Sequence, residues 1–224
     1  MKKNPLALSL ALCAAPLAPI IGLSAGCQAA YYGTMEKLGV HKRDIMVDRV
    51  EEARDSQHEA KEQFASALDE FRSVVDVQAD DLEATYDRLN GQLKRSESRA
   101  DTVRTRVKKV ESVSKALFKE WEQELDEYTN PSLKEASVRQ LDETRQSYDV
   151  LMGAMKRAEA KMEPVLVAFR DQVLFLKHNL NAQAIASLKG ELTSLEGDIA
   201  SLIRDMEASI SEADAFIETM QSSS

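Results

Sequence analysis

Leu82–Trp121, "LEATYDRLNGQLKRSESRADTVRTRVKKVESVSKALFKEW", decides the fold. Apolar or small residues return at alternating intervals of four and three: Leu82, Tyr86, Leu89, Leu93, Ser96, Ala100, Val103, Val107, Val110, Ser114, Leu117 and Trp121. That alternation holds one stripe of an α-helix toward a partner helix, and a strand would need a period of two. The stretch contains no proline and a single glycine, Gly91.

The same spacing recurs three more times. One run is Met46, Val50, Ala53, Gln57, Ala60, Phe64, Ala67, Phe71, Val74. Another is Leu141, Thr144, Tyr148, Leu151, Met155, Ala158, Met162, Val165, Phe169, Gln172, Leu176. The last is Ile185, Leu188, Leu192, Leu195, Ile199, Leu202, Met206, Ser209, Ala213, Phe216, Met220. Apolar flanks widen these seams, above all Leu166, Val173 and Leu180 in the third and Ile203, Ile210 and Ile217 in the fourth. A wider stripe suits a bundle rather than a two-stranded coil. Polar seam positions such as Gln57, Ser96, Ser114 and Gln172 read as register markers.

Breaks between the runs set helices near 36–76, 80–128, 132–178 and 182–221. Asp80 or Asp81 can cap the second helix. Asn130 precedes Pro131 and is steered out of helical geometry, and Ser132 with Glu135 reads as a capping box. Pro164 predicts a kink rather than an end. Gly190 and Gly197, seven apart, are expected to mark a close helix approach. Short connections make successive helices antiparallel. The expectation is an all-α, elongated, antiparallel coiled-coil or up-down-up-down four-helix bundle, with the 128–132 turn projecting roughly 12 Å. A first hairpin with paired positions adding to about 156 would bring Lys94, Arg99, Arg104, Lys108 and Lys109 near Glu62, Asp55, Glu52, Glu51 and Asp48.

Composition agrees: 30% of residues are charged, 5% are aromatic, and the chain holds only eight glycines and five prolines. Three of those prolines precede residue 20, in a segment of another kind. Lys2 and Lys3 lead into Pro5–Ala25, which carries no charge, the layout of a secretory signal. "GLSAGCQAAYY", Gly22–Tyr32, closes it with small residues before Cys27. This resembles the lipobox of bacterial lipoproteins, with Ser24 where that pattern usually has Leu, and Leu23 one place further back. The resemblance implies a signal peptide over 1–26, lipidation of Cys27 and a tether over 27–35. Several acyl chains on one residue hold a protein firmly to a bilayer. Gln28 in place of an Asp implies the outer membrane, periplasmic face, of a Gram-negative bacterium. Removal of Lys2 and Lys3 would take the net charge from −9 to about −11. Cys13 and Cys27 are the only cysteines, so the mature chain would have no free thiol, disulfide or thiolate metal site.

Other chemistry finds little footing. Asp55, His58 and Glu62 share a helical face, but a di-metal bundle needs a second carboxylate-x-x-His element, and Phe175 stands three before His178. The basic run Lys94–Lys109 lacks aromatic residues within an acidic chain, so ion pairing explains it better than nucleic acid. No phosphate loop or nucleophile motif appears. No catalytic residue, cofactor or metal is expected. Trp121 reads as seam filling rather than as a membrane-interface residue.

Tyr31–Phe64, "YYGTMEKLGVHKRDIMVDRVEEARDSQHEAKEQF", resembles the start of a family of predicted bacterial lipoproteins catalogued as domain of unknown function 2959. That resemblance implies a helical envelope protein and brings no site residues. The functional expectation is a lipid-anchored scaffold, spacer or adaptor, not an enzyme, with a protein partner and possible self-association. The alternative is a client-binding, envelope-stress or chaperone-like module using the apolar stripes of the last two helices.

Overall fold

The computed structural model describes residues 41–76, 82–179 and 182–222. They form four helices: α1 Lys42–Asp76, α2 Leu82–Glu124, α3 Pro131–His178 and α4 Ala182–Ser222. Among the described residues there is no strand. Cross-helix pairs give the directions. Arg88, Arg99 and Arg106 of α2 meet Glu70, Glu59 and Glu52 of α1, so positions fall on one helix as they rise on the other. Arg54, Lys61 and Arg72 of α1 likewise meet Asp214, Glu207 and Glu196 of α4. Glu97, Arg104 and Glu111 of α2 meet Arg170, Glu163 and Lys156 of α3. Each helix packs on the next, and α4 closes the ring on α1, giving an up-down-up-down four-helix bundle.

The seams supply the core. All nine seam residues of the first run, Met46 to Val74, are buried. In α2, Leu89, Leu93, Ser96, Ala100, Val103, Val107, Val110, Ser114 and Leu117 are buried, while Leu82, Tyr86 and Trp121 are partly covered. Size is distributed unequally around the ring. Ala53, Ala60 and Ala67 fall seven apart on α1 and face a partner bearing Ser96 and Ala100, so little side-chain volume separates these two helices. The largest buried side chains come from three helices: Phe64 and Phe71 of α1, Met155, Met162 and Phe169 of α3, and Met206 and Phe216 of α4. Phe71 and Phe169 meet edge to face, 6.1 Å between centroids and 78° between planes.

Two local details of the helices depart from the sequence reading. Asn130, not Ser132, caps α3: it is extended (φ −92°, ψ 114°), and its side chain accepts from the backbone N–H of Ser132 and Leu133. Pro131 occupies the first turn, where a missing N–H costs nothing, and thereby moves the cap one residue upstream of it. The second departure concerns Gly190 and Gly197. A Cβ on either would meet nothing within 4 Å, because both face outward rather than toward a neighbouring helix. The close approach they suggested is absent within this chain. α3 runs through Pro164, which lies on the exposed face. There its missing hydrogen bond frees a carbonyl to water rather than to the core.

The first hairpin's register adds to 158 rather than 156, and none of the five expected pairs forms: α2 meets α1 instead through Arg88–Glu70, Arg99–Glu59 and Arg106–Glu52. Arg99 and Arg106 lie on the flank of the α2 seam that faces α1. Arg104 lies on the opposite flank and binds Glu163 of α3. Lys94, Lys108 and Lys109 are exposed, Lys108 beside Arg104 on the side toward α3.

At one end the bundle is uneven. Lys42 Nζ sits 2.6 Å from Glu120 Oε1, and Arg43 Nη2 donates to the Met220 carbonyl at 2.5 Å, so α1 begins and α4 finishes near the level of residue 120. The α2–α3 hairpin continues past this level to the turn at 125–130, about 12 Å further at 1.5 Å per residue.

Candidate functional site

Cys27, the proposed lipid attachment point, lies outside the described residues, as do Gln28, Tyr31 and Tyr32. His58 Nε2 lies 3.2 Å from Glu62 Oε1, one helical turn away. Asp55 is occupied by the neighbouring Arg54 guanidinium at 2.9 Å. No group of three His, Cys, Asp or Glu side chains among the described residues is arranged to hold a metal ion. No described helix is long and apolar enough to cross a membrane.

The apolar flanks of the last two helices are inside the bundle. Leu166, Val173 and Ile217 are buried, and Ile203 and Ile210 are partly covered. Leu180 lies outside the described residues. A client-binding surface built on these stripes therefore lacks the exposed residues it requires.

Two surface features stand out, of which the sequence reading missed the first. The first is a polar seam. Between α2 and α3, Glu97–Arg170, Arg104–Glu163 and Glu111–Lys156 form a ladder with seven-residue steps on both helices and alternating sign. The Arg104–Glu163 and Glu111–Lys156 pairs border an open groove of about 550 Å³ floored by Val107 and Ala160. Glu97 raises the Arg170 pKa by hydrogen bonding, and Glu111 does the same for Lys156. For Arg104, burial lowers the pKa and is outweighed by the hydrogen bonds it donates to Glu163 and Asp101, so the net shift is upward. The ladder continues toward the tip as Phe118 against Tyr148, edge to face at 5.4 Å, with Arg145 over the Phe118 ring. Burial raises the Tyr148 pKa, opposed by a hydrogen bond with Ser114. The signal was present as charges of alternating sign every seven residues, but pairing charges across the first hairpin alone assigns Arg104 to helix one and hides the ladder between helices two and three.

The second feature is the tip. Trp121 is half-buried and its indole N–H donates to Ser137 Oγ at 2.8 Å, which ties the two arms of the hairpin together. Beyond it Tyr128 and Leu133 are exposed, the latter at 57%. Glu122, Glu124, Asp126, Glu127 and Glu135 surround them, with Lys134 drawn to Asp126 and Arg139 to Glu135. A pocket of about 250 Å³ opens at the base of the tip, between His41, Lys42 and Arg43 on one side and Leu117, Glu120 and Trp121 on the other.

The comparisons with known proteins concern the whole chain rather than any of these features. No curated protein and no solved structure matches it. The family described as "Protein of unknown function (DUF2959)" matches residues 31–220, so the chain belongs to that family.

Proposed function

We propose that this family member is a lipid-anchored rod of the bacterial envelope, acting as a scaffold, spacer or adaptor for other proteins through its length and surface. The observation that carries this reading is the geometry of the ends. The chain enters α1 beside Glu120 and Trp121, at the end from which the α2–α3 tip projects. A lipid on Cys27, fourteen residues before His41, would fix that end to a bilayer. The 48 residues of α3 then carry the opposite end about 70 Å away.

The basic, apolar, small-residue, Cys order at residues 2–27 supports lipidation. Gln28 supports the outer membrane, periplasmic face. In this orientation the acidic tip faces the anchoring membrane, and its carboxylates oppose insertion among anionic headgroups. A protein partner is expected on the helical surface. Density-gradient fractionation of native chain beside Cys27→Ala tests the reading. The native chain is expected with the outer membrane and the variant in the soluble periplasmic fraction. A variant that stays with the membrane would remove the basis of the anchor.

A further inference from the structure

The outward faces of α3 and α4 form a surface unlike the rest of the molecule. On α3, Val167, Leu174 and Phe175 are 42%, 51% and 40% exposed, and Val150 is exposed on the same side. Only Arg157 and Asp171 interrupt the outer stripe of α3 between Val150 and Leu174. On α4 the outer stripe from Gly190 to Ser211 holds small residues interrupted only by Arg204. Between the stripes lie Lys161 with Asp205 and, seven and fourteen residues before Asp205, the exposed Asp198 and Glu191. Three basic and four acidic groups thus leave the face close to neutral, in a chain of net charge −9. Two copies could therefore meet here without the repulsion that opposes contact elsewhere.

The two stripes also match in register. Lys161 donates to Ser201 Oγ at 2.8 Å and pairs with Asp205 at 2.6 Å, which sets the relative level of the helices. Val167 is thus level with residues 195–199 and Leu174 with residues 188–192. The two exposed apolar side chains stand seven apart, and so do Gly197 and Gly190 at the same two levels, where a Cβ would meet only open space.

We propose that this face binds a second copy of the chain, about a two-fold axis parallel to the bundle. In that arrangement α3 of each copy lies over α4 of the other at equal height, so Val167 and Leu174 seat over Gly197 and Gly190 of the partner copy, twice. A two-fold interface requires such self-complementarity, with ridge and trough on one surface. The face is about 36 Å long from Val150 to Leu174 and two helices, about 20 Å, wide. That is roughly 700 Å² per copy, close to the ~800 Å² of a standard stable interface. The parallel axis places both N-termini at one end, as two chains anchored in one membrane require. The dimer itself does not depend on the anchor.

The test is cysteine cross-linking of the full chain in cells. Two differently tagged copies, one carrying Leu174→Cys and one Gly190→Cys, are co-expressed and oxidised. A disulfide-linked heterodimer is expected, well above the yields of a chain with no added cysteine and of a pair at Ser98→Cys and Thr105→Cys on α2. Adding Gly197→Gln to both chains should cut that yield about tenfold. At dilutions where the chain is monomeric its melting temperature should not fall, because the new side chain points into open space. Cross-linking no greater than that of the α2 pair, or a yield unmoved by Gly197→Gln, overturns the proposal.

Discussion

Gln57 is fully buried, and neither atom of its amide has a hydrogen-bond partner; the Ser209 hydroxyl is in the same condition. The Arg54–Asp214 and Lys61–Glu207 pairs bracket both residues, which places them in neighbouring layers of facing helices. An unsatisfied buried polar group costs about 1–3 kcal/mol, so Gln57→Leu, similar in volume, should raise the unfolding free energy by about that amount in urea titration. A fall would mean that the amide is satisfied in solution. Phe169, packed edge-on against Phe71, sits at the other extreme. Phe169→Ala should cost about 3–5 kcal/mol by the same measurement. Which residues are buried was legible at this scale, because burial follows heptad position. Gln57 was recognised as a seam residue, but its lack of a partner was not, since that depends on what three other helices bring to the same layer.

Among the elements, the 125–130 turn and the α2–α3 seam separate what local sequence determines from what it does not. The turn was visible in Asn130-Pro131, yet the S-x-x-E pattern placed the cap at Ser132, whereas Pro131 gives it to Asn130. Asn130→Ala should therefore cost about 1 kcal/mol, and Ser132→Ala much less, in matched thermal melts. The α2–α3 ladder required knowing that helix three faces the opposite flank of helix two from helix one. Its ion pairs are exposed, so each is worth little. A double-mutant cycle on Glu111 and Lys156 should give a coupling of about 0.5 kcal/mol, smaller still in 1 M salt. A coupling unchanged by salt would contradict a solvent-screened pair.

For the whole molecule, long helices in antiparallel order make a rod. A rod about 75 Å long should scatter with a radius of gyration near 23 Å at dilution, against about 17 Å for a compact domain of this length. The rod could be read from four seams and their breaks. What it serves could not, because a seam records how helices meet one another and carries no mark of an outside partner. The register-matched outer faces of α3 and α4 became visible only once the helices were set side by side.

The placement of that rod rests on Cys27, and intact-mass analysis of the chain purified from membranes tests it most directly. The account predicts a polypeptide beginning at Cys27 with the added mass of a diacylglycerol thioether and an N-terminal acyl chain. A chain with an unmodified Cys27, or one still carrying residues 1–26, would contradict it.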